Sequence, residues 1–162
     1  MEKLISFLNN SISPYHAVNS LEQELIKNGF KKVSEKDTWN LTKGGAYYLV
    51  KDQTSLIAFK IGNSEDNKRF NIVATHTDSP CFKIKPNGII NGPFQVLNTE
   101  MYGGAVVASW FDRPLGVAGR VIVKDGENYV INYYYFSYRS KKWSQNESKC
   151  ETHNVRNYHV RV

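Results

Sequence analysis

One histidine and one aspartate, His76 and Asp78, form the pair of side chains in this sequence that is best suited to chemistry. In extended backbone, residues two apart point to the same side. The Asp78 carboxylate can therefore accept a hydrogen bond from one nitrogen of the His76 ring, which fixes the tautomer and leaves the other nitrogen for a metal ion such as zinc. The alternative is a satisfied histidine near a turn, with Asp78 as a turn or helix cap.

The pair directly follows a short apolar run, Phe70–Thr75. Such a run is typical of a buried central strand, and in open α/β sheets the ligand crevice lies outside the carboxyl ends of the strands. We therefore predict an interior strand over residues 70–75 with His76 at its C-terminal end.

The other histidines and the cysteines are weaker candidates. His16 lies on the first turn of a predicted helix, and His153 and His159 are six residues apart, which matches neither a metalloprotease helix nor a zinc finger. Cys81 and Cys150 are too few for a disulfide framework or a four-cysteine zinc site. A lone buried cysteine such as Cys81 is more often a small apolar filler than a nucleophile.

Several local signals predict the elements that position this pair. Ser13-Pro14 is a helix start and Gly29 a helix end, with apolar residues at helical spacing between them. Residues 46–50 and 55–61 predict a β-hairpin, and residues 120–130, with Asp125-Gly126 at the bend, predict a second. The alternating residues 82–85 lead into an expected turn at Pro86–Gly88. A helix followed by strands predicts an α/β domain.

Length and composition exclude several classes of protein. The chain has 162 residues, of which 41% are hydrophobic and 22% charged, so it has the size and composition of an ordinary globular domain. No apolar run approaches the roughly 20 residues of a membrane helix, and Met1–Ile5 includes Glu2 rather than a signal-peptide core. We expect a cytoplasmic protein that does not bind a membrane.

The net charge of +6 is concentrated near the end of the sequence. Residues 131–162 carry six basic and two acidic residues, a net charge of +4, whereas residues 1–130 carry 15 and 13, a net charge of +2. A nucleic-acid domain would show its basic stripe on the folded body. Nucleic-acid binding through Tyr133–Tyr138 and the basic tail is therefore a disfavoured hypothesis.

Five segments together resemble the aspartyl aminopeptidase family, the group that also contains vacuolar aminopeptidase I. The resemblance extends in order from about residue 5 to about residue 130, and the long stretch near its end is the most specific part. The similar segments are Ser13–Val18, Lys43–Tyr48, Ser55–Gly62, His76–Pro80 with Lys83–Pro86, and Tyr102–Gly104 with Trp110–Arg113 and Leu115–Val121.

The resemblance implies a fold, a cofactor and site residues. It implies the start of a zinc-peptidase α/β domain over residues 1–92, the start of a β-rich inserted oligomerisation domain over 93–130, and an atypical basic, aromatic tail over 131–162. It implies two zinc ions in the full-length family, with His76 as a zinc ligand and Asp78 as the acid that orients it. The reaction it implies is release of N-terminal, acidic amino acids from peptides by a zinc-activated water.

Two functions follow for this chain. The first is the N-terminal part of a zinc aminopeptidase that acts on peptides and forms homo-oligomers. The second is a catalytically incomplete piece that serves at most in binding or oligomerisation. The nearest further acids, Glu100 and Asp112, fall in the inserted domain by resemblance, and the family's other ligands come from later sequence, so we expect the chain alone to be inactive.

Overall fold

The computed structural model describes residues 1–64, 69–94 and 96–136, together with the backbone of two short strands at Trp143–Ser144 and His159–Arg161. The chain divides into two compact units, residues 1–78 and residues 79–162. Each unit is described below by itself. We call them the first unit and the second unit.

The first unit contains two helices and a small mixed sheet. The middle strand pairs with the first strand in parallel and with the third in antiparallel orientation, in the order β1-β2-β3. The helices and strands are α1 (Glu2–Asn10), α2 (Pro14–Lys27), β1 (Lys31–Lys32), β2 (Ala46–Lys51) and β3 (Ser55–Lys60). The α/β class is thereby confirmed, and α1 is a helix that the sequence signals did not predict.

Helix α2 begins and ends where the sequence predicts. Ser13 is buried, and its Oγ accepts a hydrogen bond from the His16 backbone N–H at 3.4 Å and lies 2.7 Å from His16 Nδ1. Pro14 occupies the first helical turn, where its missing N–H is not needed. Beyond the helix, Gly29 has a φ of +77°, the left-handed conformation that favours glycine after a helix end.

Buried side chains of α2 and β2 form the core of the first unit. Ala17 and Val18 on α2 are buried, as are Tyr47, Tyr48 and Leu49 on β2. The Tyr48 hydroxyl donates a hydrogen bond to Glu22 Oε1 at 3.1 Å, so helix and strand are also linked by a polar contact. Burial, and then this carboxylate acceptor, raise the pKa of Tyr48 above its ordinary value.

The turn between β2 and β3 confirms the first predicted hairpin and carries backbone strain. Lys51 pairs with Ser55 across the three-residue loop Asp52–Thr54, in which Asp52 and Gln53 have φ values of 49° and 62°. Positive φ at both positions is the geometry of a type I′ turn, in which the second residue is usually glycine. The Gln53 Oε1 atom is also buried without a hydrogen-bond partner.

The predicted interior strand over residues 70–75 is wrong. This segment belongs to neither a helix nor a strand, and its large side chains Phe70, Ile72 and Val73 are 83%, 83% and 91% exposed. An extended segment becomes an interior strand only when neighbouring strands pair with its N–H and C=O groups on both sides. Within residues 1–64, 69–94 and 96–136, no strand pairs with it.

In the part of the chain that the structure describes, the second unit forms a six-stranded antiparallel sheet with one short 3₁₀ helix. Its strand order is β5-β4-β9-β6-β7-β8. The strands are β4 (Cys81–Ile90), β5 (Val96–Tyr102), β6 (Gly116–Asp125), β7 (Asn128–Phe136), β8 (Trp143–Ser144) and β9 (His159–Arg161), and the 3₁₀ helix is Val107–Trp110. The second predicted hairpin is confirmed, with Gly126 at a φ of +60° in its turn.

Two expectations in the second unit differ from the structure. The turn expected at Pro86–Gly88 is absent, because β4 continues through these residues with an irregular register between Ile84 and Ile89. A bulge accommodates Pro86, which has no N–H for the ladder. Strand β7 also continues to Phe136, so the start of the predicted tail at residue 131 is a regular strand. The rest of that tail lies outside the described residues, apart from β8 and β9.

Aromatic and small side chains fill the interior of the second unit. Cys81, Ala118, Val121 and Tyr134 are buried, in agreement with a filler role for Cys81. Phe82 and Trp110 contact edge to face, with ring centroids 4.9 Å apart. Neither α1 nor α2, the α-helices of the described residues, is long and apolar enough to cross a membrane.

Replacement of Ser13 by alanine is expected to lower the free energy of opening of the first unit by about 1 kcal/mol, because it removes the N-cap oxygen of α2. The matched control is Ser20→Ala within the same helix, where alanine is the better helix former and no loss is expected. Native-state hydrogen exchange of the β2 amides measures both effects. An equal response of the two variants would contradict the capping role.

Replacement of Gln53 by glycine is expected to stabilise the first unit by about 0.5–1 kcal/mol, because relief of the left-handed conformation, about 1–2 kcal/mol, exceeds the extra chain entropy of glycine. The Gln53→Ala variant removes the same buried amide but keeps a Cβ at positive φ. It should gain clearly less. Hydrogen exchange of β2 and β3 distinguishes the variants, and an alanine variant as stable as the glycine variant would show that backbone strain is not the cause.

Candidate functional site

The segment that contains His76 and Asp78 is attached to the first unit through Thr77. The Thr77 Oγ1 donates a hydrogen bond to the Thr54 carbonyl at 2.7 Å, immediately before β3 begins. Sequence reasoning did not identify Thr77. Its hydrogen bond fixes the segment to the end of the loop between β2 and β3.

The structure brings His76 and Asp78 into direct contact. The Nδ1 atom of His76 lies 3.2 Å from Asp78 Oδ1 and 2.8 Å from the Asp78 backbone carbonyl oxygen. A carbonyl oxygen can only accept a hydrogen bond, so Nδ1 must carry the proton. In the neutral ring this leaves the lone pair on Nε2, the nitrogen that a metal ion would bind.

The surroundings of the pair are open to solvent. The side chains of His76 and Asp78 are 79% and 37% exposed. This exposure follows from the uncovered segment before them, because the expected sheet around residues 70–75 is not present in the described residues. The pair thus has the relative geometry of an oriented metal ligand without the enclosed environment of a completed metal site.

The described residues do not fit a complete zinc site. A structural zinc has four protein ligands and a catalytic zinc usually three. Within residues 1–64, 69–94 and 96–136, no group of three or more histidine, cysteine, aspartate or glutamate side chains could hold a metal ion. His76 is therefore a single oriented histidine, and no catalytic step follows from the described residues alone.

The remaining candidates have other structural roles. His16 contacts the N-cap serine of α2, and Cys81 is buried in the second unit. Glu100 lies on β5 in register with Lys83 on β4, and Asp112 follows the 3₁₀ helix with a φ of 54°. None of these four belongs to a metal-binding group in the described part of the chain. His153 and Cys150 lie outside the described residues, and His159 is described only as backbone of β9.

The aromatic run that raised the nucleic-acid hypothesis is largely part of a sheet. Residues 133–136 lie in β7 and pair with β6 in antiparallel register. Tyr134 is buried, and Tyr133, Tyr135 and Phe136 are intermediate in exposure. Rings that stack on bases must present an open face, so this part of the run is poorly suited to that purpose.

Comparisons with known proteins identify one family. The family model described as aminopeptidase I zinc metalloprotease (M18) matches residues 7–136. A probable M18 family aminopeptidase 2 from Clostridium acetobutylicum is 44% identical over 126 residues, which cover 76% of this chain and 29% of that protein. Aspartyl aminopeptidase 4 from Saccharomyces cerevisiae is 42% identical over 130 residues, which cover 78% of this chain and 26% of that protein.

A solved structure gives the same result for the fold. The chain is similar to the S. cerevisiae mApe1 dodecamer structure, with a TM-score of 0.74 and 27% identity over 83% of this chain and 32% of that one. The chain therefore spans less than a third of the length of the curated relatives described here.

The tautomer of His76 gives a direct test of the site geometry. At a pH where the ring is neutral, ¹⁵N NMR is expected to show the proton on Nδ1, because the Asp78 carbonyl and carboxylate both accept from that atom. Added Zn²⁺ should perturb Nε2 and bind weakly, since one ligand is available. A proton on Nε2, or tight stoichiometric zinc binding by the chain alone, would contradict the geometry described above.

Proposed function

The chain belongs to the aminopeptidase I (M18) family of zinc metalloproteases, and from this premise we propose that it forms the N-terminal, metal-binding portion of an aminopeptidase. The observation that carries the proposal is the contact of His76 Nδ1 with Asp78, which lies within the matched residues 7–136. That contact leaves the lone pair of Nε2 available to a metal ion.

In this proposal His76 is a zinc ligand and Asp78 is the residue that positions it. A hydrogen-bonded carboxylate fixes the ring orientation of a ligating histidine and raises its basicity. Zinc, when bound, would supply Lewis-acid polarisation of the peptide carbonyl and an activated water. The contribution of this chain is to hold the imidazole in the tautomer that a metal can use.

The rest of the site would come from the part of the family sequence that this chain does not span. A two-zinc site needs several ligands and a general base, whereas the described residues supply one oriented histidine. We therefore propose two zinc ions for the complete enzyme and no measurable activity for the chain alone. The assignment of residues 1–92 to the peptidase domain, 93–130 to an inserted domain and 131–162 to a tail belongs to the same proposal.

Substrate class, assembly and location are part of this proposal as well. One relative is named an aspartyl aminopeptidase, which supports peptides with acidic N-terminal residues as substrates. One similar structure is a dodecamer, which supports homo-oligomers for the complete protein. We also propose a cytoplasmic location.

A non-catalytic role is the second candidate, and the single metal ligand favours it. In that case the chain would keep the family fold but act only as a binding or oligomerisation piece. The two candidates differ in one respect. In the first, residues 7–136 can replace the matching part of an active relative, and in the second they cannot.

The test is a chimera of the C. acetobutylicum relative in which the 126 matched residues are replaced by those of this chain. We expect it to bind zinc and to release N-terminal aspartate or glutamate from peptides. His76→Ala should abolish activity, and Asp78→Asn should lower zinc affinity or activity about 10- to 100-fold, as is usual for the partner of a metal-ligating histidine.

The matched control is Asp37→Asn, which neutralises an exposed aspartate elsewhere in the first unit and should leave both zinc content and activity unchanged. Zinc content is measured on each purified variant together with peptide cleavage. A chimera that folds and binds zinc but does not cleave peptides, or one whose activity survives His76→Ala, would contradict the proposal.

A further inference from the structure

Thr77 lies between His76 and Asp78 in the sequence, at a bend of the backbone. Across this bend the Asp78 carbonyl oxygen lies 2.8 Å from His76 Nδ1. The side chain of His76 is largely exposed, whereas Thr77 takes part in a partly buried hydrogen bond. The orientation of the histidine therefore depends on a backbone bend whose own side chain is engaged elsewhere.

The contact between His76 and Asp78 is too exposed to hold the bend by itself. Hydrogen bonds and ion pairs between exposed side chains contribute little, because water competes for the same groups and the ordered side chains lose conformational entropy. The preceding residues 70–75 give little support, since their large side chains are exposed and no strand that the structure describes pairs with them. The geometry therefore needs a contact from the bend to folded structure.

The side chain of Thr77 provides such a contact. Its Oγ1 donates to the Thr54 carbonyl oxygen at 2.7 Å, a usual length for an O–H···O hydrogen bond. Because this bond is partly buried, water competes for it less than for an exposed pair. It joins the bend to a residue 23 positions earlier, at the end of the loop between β2 and β3.

The loop between β2 and β3 holds the acceptor in place. The Thr54 N–H donates to the Lys51 carbonyl at 3.3 Å, and Lys51 pairs with Ser55 across the loop. Asp52 and Gln53, the two residues before Thr54, have the positive φ values that are costly for residues other than glycine. Strain of this kind persists where the surrounding structure requires it, and an observed outlier supports a hypothesis of function. The direction of the Thr54 carbonyl is thus set by a folded hairpin.

We propose that Thr77 is a positioning residue for the metal-ligating histidine and acts by fixing the bend to the Thr54 carbonyl. In this role it touches neither the metal nor the substrate. It reduces the entropy that His76 and Asp78 lose when they adopt their contact, so the tautomer with a free Nε2 is favoured before zinc binds. The link to zinc rests on the proposed function, whereas the effect of Thr77 on His76 can be measured without metal.

The first experiment replaces Thr77 by valine in the full chain, which keeps the branched shape and removes the donor. ¹⁵N NMR of His76, at a pH where the ring is neutral, measures the ratio of the Nδ1–H to the Nε2–H tautomer. We expect this ratio to fall about threefold or more, the effect of losing one hydrogen bond of ordinary net strength. Thr77→Ser keeps the hydroxyl and should restore the ratio.

Thr38→Val is the matched control, because Thr38 is an exposed threonine of the first unit outside its helices and strands. It loses the same hydroxyl and should leave the tautomer ratio of His76 unchanged. An unchanged ratio in Thr77→Val, or a ratio that Thr77→Ser does not restore, would overturn the proposal. An equal response to Thr38→Val would overturn it as well.

A measurement on the unsubstituted chain decides the matter if the valine variant does not fold. A hydroxyl that is bound to one carbonyl keeps its side chain in one staggered rotamer. Three-bond couplings to Cγ2 should therefore report a single χ1 value for Thr77 and averaged values for Thr38. Averaged couplings at Thr77 would contradict a fixed hydrogen bond to Thr54 and overturn the proposal.

Zinc affinity of the chimera described above connects Thr77 to the metal. We expect Thr77→Val to weaken zinc binding about tenfold, the lower end of the range for residues that support a ligating histidine, and Thr77→Ser to keep the parent affinity. In the Asp78→Asn background the valine substitution should cost clearly less, because both changes act on the orientation of the same ring. Equal losses in the two backgrounds would overturn the route through the His76–Asp78 contact.

The two experiments distinguish a failure of this inference from a failure of the proposed function. A chimera that folds but binds no zinc would contradict the proposed function, and the tautomer ratio in the chain would still decide the role of Thr77. A chimera that binds zinc equally well with threonine or valine at position 77 would overturn this inference and leave the proposed function intact.

Discussion

A β-strand needs neighbouring strands to pair with its backbone N–H and C=O groups. This requirement determines which parts of the chain form sheets. Strand β2 has β1 on one side and β3 on the other, and its side chains Tyr47, Tyr48 and Leu49 are buried. The segment over residues 70–75, which we call the apolar segment, has a comparable apolar composition but pairs with no strand in the described residues, and its large side chains are exposed. An apolar composition means that a segment is stabilised by burial. The segment becomes a buried strand only where neighbouring strands are present to pair with it.

The His76–Asp78 geometry does not depend on those neighbours. The contact is between residues two apart, and the anchor through Thr77 reaches only to Thr54 in the adjacent hairpin. The orientation and tautomer of the histidine are therefore set within the first unit. A metal site also requires ligands from distant strands and loops, and this requirement is non-local in the sequence. The orientation of His76 and the completion of a metal site are thus separate properties. The described residues provide the orientation.

The accuracy of the sequence predictions follows the same division. The ends of α2 and the two hairpin turns were predicted correctly, because Ser13-Pro14, Gly29 and Asp125-Gly126 act through backbone conformation within a few residues. The apolar segment was predicted wrongly, because an apolar run indicates burial without showing which strands provide it. Helix α1 was missed because it lacks a side-chain cap and buries none of its residues. The expected turn at Pro86–Gly88 was wrong because a bulge within β4 accommodates the same residues.

At the candidate site, residue chemistry and family membership support different parts of the inference. Spacing alone suggested that Asp78 could hold His76, and the atoms are in contact, but an oriented imidazole is compatible with a satisfied surface histidine as well as with a zinc ligand. Membership of the M18 family favours the ligand. The neutral Nδ1–H tautomer is the form that leaves Nε2 available, so the local structure already meets the condition that metal binding imposes. What the described residues lack is a group of three or more side chains that could hold a metal ion, and the exposed side chains of Phe70, Ile72 and Val73 lie shortly before His76.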